Sequence, residues 1–124
     1  MHDFTYRNSR LFCEDAPLDR IAREFGTPLY VYSHATLMGH YQRLDGAFES
    51  IPHLICYSVK SNSNIAICRA LSRAGAGFDV VSGGELTRVL MAGADPRTIV
   101  FAGGGQNRGG DCPGAGEGDS VPHR

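Results

Sequence analysis

Between residues 53 and 102 short apolar runs alternate with segments of helical periodicity. No other feature of the sequence restricts its folding as much. His53-Leu54-Ile55-Cys56-Tyr57-Ser58-Val59 reads as a largely buried strand ending at Lys60. Asn62 or Ser63 then caps a helix through Ile65, Cys68 and Leu71, closed by Gly75. Gly77-Phe78-Asp79-Val80-Val81 is the next strand. Ser82, with Glu85 three residues later, forms a capping box for a helix that turns Leu86, Val89 and Leu90 inward and stops at Gly93. Asp95-Pro96 makes a turn into Thr98-Ile99-Val100-Phe101-Ala102. Apolar strands joined through helices require a parallel sheet, so the class is α/β. The pattern fits an open doubly wound sheet as well as the first part of a (β/α)8 barrel. A whole barrel takes about 250 residues. This chain has 124, enough for less than half of one.

Upstream, residues 3–15 read as a strand or loop region anchored by Phe4, Tyr6, Leu11 and Phe12. Leu18, Ile21, Ala22 and Phe25 share one helix face, with Gly26 as the stop. Pro28 opens a strand-forming run, Leu29-Tyr30-Val31-Tyr32. Ser33 caps a helix whose stripe is Leu37, Tyr41, Leu44 and Phe48. Eight of the 16 glycines follow residue 102, and from 104 to 124 only Cys112, Ala115 and Val121 are apolar. Such a stretch buries too little surface to offset its ordering entropy. The expected organisation is therefore a leading strand and helix segment over 1–27, a partial α/β unit over 28–103, and a disordered glycine-rich tail over 104–124.

The net charge of -1 and the absence of any Lys/Arg run leave no electrostatic footprint for nucleic acid. No apolar stretch approaches the roughly 20 residues of a membrane span, and the N-terminus lacks a signal-peptide core. Cys13, Cys56, Cys68 and Cys112 form no C-x-x-C pair, which suits reduced thiols in the cytoplasm. His2, His34, His40, His53 and His123 show no metal-ligand spacing, so no metal is expected. There is no Gly-x-Ser-x-Gly elbow and no Walker lysine. Gly103-Gly104-Gly105 follows a strand, but no helical pattern comes after it.

Two residues stand out chemically. Lys60, the one lysine of the sequence, closes an apolar strand and precedes Ser61-Asn62-Ser63-Asn64. It could be a strand-end lysine with a packed stem and a solvated ammonium. It could equally face a ligand, because the C-terminal strand ends of parallel α/β proteins line the active site. An amine partly desolvated there is suited to Schiff-base formation. Asp79 lies inside an apolar strand, where a carboxylate is costly unless it is partnered. It is either a structural acid, bonded to backbone amides or to Lys60, or part of an active-site mouth. Ser82-Gly83-Gly84-Glu85 places N–H groups at a helix start, a geometry suited to anions.

Cys56-Tyr57-Ser58-Val59-Lys60-Ser61-Asn62 resembles the Tyr-Ala-Val-Lys-Ala-Asn motif of fold-type III pyridoxal-phosphate enzymes, the alanine racemase and basic amino acid decarboxylase superfamily. Phe25-Gly26-Thr27-Pro28-Leu29-Tyr30-Val31-Tyr32, Gly77 through Leu86, and Ile99-Val100-Phe101-Ala102-Gly103 extend the likeness in register, and together they look like diaminopimelate decarboxylases. The resemblance implies the N-terminal portion of a pyridoxal-phosphate-binding (β/α)8 barrel. It makes Lys60 the lysine that carries pyridoxal 5'-phosphate through its aldehyde, and it sets Asp79 beside the cofactor. Glu85 falls at a motif position with a structural role. The implied reaction is decarboxylation of meso-2,6-diaminopimelate, a small amino acid, to L-lysine, in relatives that are homodimers. The alternatives are a related decarboxylase of arginine, ornithine or carboxynorspermidine, or a non-catalytic pyridoxal-phosphate carrier. In the family the phosphate loop, the Glu-Pro-Gly-Arg segment, the acid facing the pyridine nitrogen and the C-terminal β-domain all come later than these motifs. The chain is accordingly expected to be an inactive N-terminal fragment.

After Phe-Ala-Gly, relatives run approximately Val-Gly-Lys-Thr and then form a helix. The codons permitted for Gly104 to Arg108, read one nucleotide later, can encode that same tetrapeptide. Those for Arg108 to Ser120 can encode an amphipathic helix. The tail is thus expected to be out of frame.

Overall fold

A computed structural model of the chain describes residues 3–102. The expected tail at 104–124 and the glycines at 103–105 lie outside the described residues. The first element is a small antiparallel sheet of β1 (Phe4–Arg7), β2 (Arg10–Cys13) and β3 (Ala16–Pro17). Asn8 and Ser9 have φ of 48° and 61°, the left-handed pair that a two-residue hairpin needs to match strand twist. The guanidinium carbons of Arg7 and Arg10 lie 5.0 and 5.9 Å from the centre of the Phe12 ring. Of the expected anchors, Phe4, Leu11 and Phe12 are partly buried, whereas Tyr6 is exposed because no described residue covers its side of the hairpin.

Helix α1 (Leu18–Phe25) follows directly and ends at Gly26, whose φ of 83° a side chain would strain. Helix α2 (His34–Ala47) is capped twice. Ser33 Oγ accepts from the Thr36 N–H at 2.9 Å, while Glu14 accepts from the Ser33 hydroxyl at 2.8 Å and the Ala35 N–H at 2.9 Å. These bonds hold the Glu14 carboxyl below the usual carboxylate range, the Ala35 N–H contributing most. Thr36 also donates to Asp3 at 2.7 Å, so the first sheet is tied to the start of α2 through two carboxylates.

The second sheet is parallel, in the order β4 (Cys56–Ser58), β5 (Gly77–Val80), β6 (Ile99–Phe101). Helix α3 (Ile65–Arg73) joins the first pair, and α4 (Gly83–Ala92) with a short 3-10 turn (Pro96–Thr98) joins the second. Phe78 and Val80 face the helices in a core with Val59, Cys68, Leu71, Ala76, Val89, Ala92 and Ala94. By strand alternation Gly77 and Asp79 point to the other face, in register with Cys56, Ser58 and Val100. On that face Val100 is 52% exposed. The three strands leave the barrel open, and the class is α/β as expected.

Several expectations need correction. Leu29–Tyr32 is extended but pairs with nothing among the described residues, and Tyr30 is 89% exposed. Strand propensity without a neighbouring strand does not make a ladder. The strand drawn from His53 to Val59 shrinks to Cys56–Ser58, with His53 and Leu54 at the surface. Val59–Ser61 forms a single 3-10 turn, so Lys60 sits in a turn rather than at a strand end. The cap of α3 is Asn64, which accepts from the Ala66 N–H at 2.8 Å, while Asn62 accepts from the Asn64 N–H one step earlier. In α4 the inward stripe is Leu86, Val89 and Ala92, and Leu90 turns outward, 43% exposed. Leu44 and Phe48 are half exposed because α2 beyond Tyr41 outruns what three strands can cover.

Candidate functional site

The two residues singled out from the sequence lie on adjacent elements of the parallel sheet, Lys60 in the turn after β4 and Asp79 in β5. Lys60 is the middle residue of the 3-10 turn that continues β4, flanked by Val59, which is fully buried. The turn is braced on both sides. Tyr57 donates its hydroxyl proton to the Asn62 carbonyl at 3.0 Å, and the Asn62 N–H donates to the Val59 carbonyl at 3.1 Å. Ser61 Oγ lies 2.7 Å from the Ser58 carbonyl and 3.1 Å from the Tyr57 hydroxyl, and shares its proton between them. The Lys60 side chain itself is exposed and makes no hydrogen bond or ion pair among the described residues.

Asp79 lies directly across from Ser58 in the ladder. Its Oδ2 accepts from the Ser58 hydroxyl at 3.3 Å, a long bond. Its Oδ1 is buried and has no partner. Asp79 is therefore not the acid satisfied by backbone amides or by Lys60 that one reading of the sequence allowed. Ser58 is the residue that sequence reasoning passed over. Its signal was its place two residues before Lys60, but the register that sets it against Asp79 is not written in either strand.

At the start of α4, Ser82 Oγ accepts from the Glu85 N–H at 3.2 Å, and Glu85 reaches back past Ser82 to the Val81 N–H at 2.8 Å. Glu85 is thus occupied in closing the helix end. A Cβ added at Gly83 would meet nothing within 4 Å, and one at Gly84 only Ser82 Oγ at 3.9 Å. Packing within the chain does not require these glycines, so the space before the helix start is open.

Among the described residues no group of His, Cys, Asp and Glu could hold a metal ion. His53 bonds Asp45 at 3.0 Å and the Ile51 carbonyl at 2.9 Å, and these contacts raise its pKa, Ile51 foremost and then Asp45. Cys13, Cys56 and Cys68 are free thiols. No described helix is long and apolar enough to cross a membrane. Cavities of about 260 and 290 Å³ lie against α2, and neither is lined by Lys60 or Asp79. Lys60 lies in the turn after β4 with its side chain exposed, and Asp79 lies in the adjacent strand with one buried, unpartnered carboxylate oxygen. A primary amine suits an electrophilic ligand, and that oxygen suits a donor.

Comparison with known proteins agrees with this chemistry. The family model described as pyridoxal-dependent decarboxylase, pyridoxal binding domain, matches residues 34–110. Diaminopimelate decarboxylase of Haemophilus influenzae is 50% identical over 108 residues, which cover 87% of this chain and 26% of that protein. The Pseudomonas aeruginosa enzyme is 51% identical over the same shares. Among solved structures, diaminopimelate decarboxylase from M. jannaschii superposes with a TM-score of 0.77 at 34% identity, covering 82% of this chain and 25% of that one. The same enzyme in co-complex with L-lysine gives a TM-score of 0.75. The chain spans about a quarter of the length of these relatives. With Lys60 and its turn inside the matched segment, this chain belongs to the pyridoxal-dependent decarboxylases, within their pyridoxal-binding domain.

Proposed function

We propose that residues 28–103 are the opening part of a (β/α)8 barrel, preceded by the segment 1–27. The barrel belongs to a cytoplasmic enzyme that decarboxylates meso-2,6-diaminopimelate to L-lysine. Similarity to diaminopimelate decarboxylases over most of the chain supports the substrate class. The observation that carries the site is the buried, unpartnered Asp79 Oδ1 on the strand adjacent to the one whose end turn holds Lys60. A buried carboxylate oxygen without a donor is costly unless a ligand supplies one, so the residues present fit pyridoxal 5'-phosphate. Lys60 would hold it by its amine and Asp79 by Oδ1. When bound, the group supplies a conjugated ring that takes up the electrons left as CO₂ departs. Lys60, free of ion pairs, can hold or move a proton at Nζ. Ser58 fixes one oxygen of Asp79 and so leaves the other directed to the ligand.

By itself the chain is inactive, because three strands do not close a barrel and supply few contacts to a phosphate or to a substrate. The test is to mix the full chain with pyridoxal 5'-phosphate, record the visible absorption of the amine adduct, trap it with borohydride and map it. The expected adduct is on Lys60 and is absent in Lys60→Ala. An adduct confined to the N-terminal amine refutes the site. Adding diaminopimelate should release no CO₂, and release would refute the inactivity. For the tail we propose a shift of reading frame near Gly104. The coding DNA should read Val-Gly-Lys-Thr in the +1 frame there, and any other tetrapeptide overturns the idea.

A further inference from the structure

We infer that Tyr57 is the positioning residue of Lys60, an inference that rests on the cofactor reading above. Lys60 needs a fixed backbone to place a long, unpartnered side chain, and a single 3-10 turn does not supply that rigidity unaided. The Tyr57 hydroxyl does so. From the strand that enters the turn, it donates to the carbonyl of Asn62 and accepts from the hydroxyl of Ser61, both on the exit side. The ring is itself held, because it meets Phe78 edge-on at 6.4 Å, and Phe78 is a fully buried core residue. The exit side of the turn that carries the amine is therefore coupled to the core through the phenol. Val59, the residue before Lys60, anchors the entry side in the core, and Asn62 accepts from the Asn64 N–H on the approach to α3. The motif thus has a division of labour: Lys60 presents the amine, and Tyr57, three residues earlier, fixes where that amine starts from.

The test uses Tyr57→Phe in the full chain, which keeps the ring against Phe78 and removes only the hydroxyl. Three measurements are compared with wild type: amide hydrogen exchange, the visible absorption and borohydride-trapped yield of the pyridoxal 5'-phosphate adduct at Lys60, and acetylation of Lys60 by acetic anhydride. Losing a bond of this kind should speed exchange at Lys60, Ser61 and Asn62 by roughly fivefold, with α3 and α4 unchanged. Adduct yield at Lys60 relative to the N-terminal amine should fall severalfold, while acetylation, which reads exposure alone, should stay the same. Unchanged exchange across 60–62 overturns the inference. So does an adduct yield that is unchanged, or that moves in step with acetylation. Wild-type chain that acetylates at Lys60 yet forms no adduct there refutes the cofactor reading itself, and the inference falls with it. A wild-type adduct that Tyr57→Phe leaves intact refutes the positioning role alone.

Discussion

Asp79 carries an energetic penalty in the chain as it stands. One carboxylate oxygen is sealed from water without a donor, and the other has only a long bond to Ser58. Removing the charge should relieve that penalty, so Asp79→Asn is expected to stabilise the unliganded chain by about 1 kcal/mol. The same change should weaken adduct formation at Lys60. Urea unfolding checks the first effect and borohydride trapping the second. That Asp79 lies inside a strand was legible in the sequence, because its neighbours are apolar. Ser58 was not, since its meeting with Asp79 spans 21 residues and depends on strand register.

At the scale of elements, Gly77 leaves no room for a side chain in the parallel sheet. A Cβ there would lie 2.5 Å from the Thr98 carbonyl oxygen and 3.0 Å from Cys56 Sγ. Gly77→Ala must push β6 away from β5, with an expected cost of about 1–3 kcal/mol in urea unfolding. The approach to β6 is also held by Asp95, which caps the 3-10 turn and pairs with Arg97 at 2.7 Å. The Arg97 side chain, then its backbone N–H, lowers the Asp95 pKa from 3.8 to about 2. A depressed carboxylate contributes stability above its unfolded pKa and loses it as pH falls through the folded value. The Asp95 share should therefore vanish between about pH 4 and pH 2, and Asp95→Asn should flatten that part of an acid titration followed by circular dichroism. Caps such as Ser33 and Ser82 were readable because a cap is settled within four residues. The Leu29–Tyr32 run was misread because a strand needs a partner that local sequence does not name, and the same gap shortened β4.

At the scale of the whole molecule, β4 and β6 are the two unpaired edges of the parallel sheet among the described residues, with Val100 and Phe101 about half exposed on opposite faces of β6. Exposed apolar edges promote association. The chain is expected to self-associate with rising concentration in light scattering, and Val100→Lys should reduce this without lowering helix content. The α/β class and the open barrel were legible from alternation and length. The exposure of Tyr6, Phe25, Leu44 and Phe48 was not, because patterning reports which side chains seek cover and not whether cover is present. The placement of the sole lysine has one more consequence. A lysine-specific endoprotease has a single bond to cut, Lys60–Ser61, in the turn between β4 and α3. One clip would divide the polypeptide into a piece ending at β4 and a piece holding β5 and β6, and any molecule covalently seated on that amine would shield the bond, making resistance to digestion a direct gauge of occupancy.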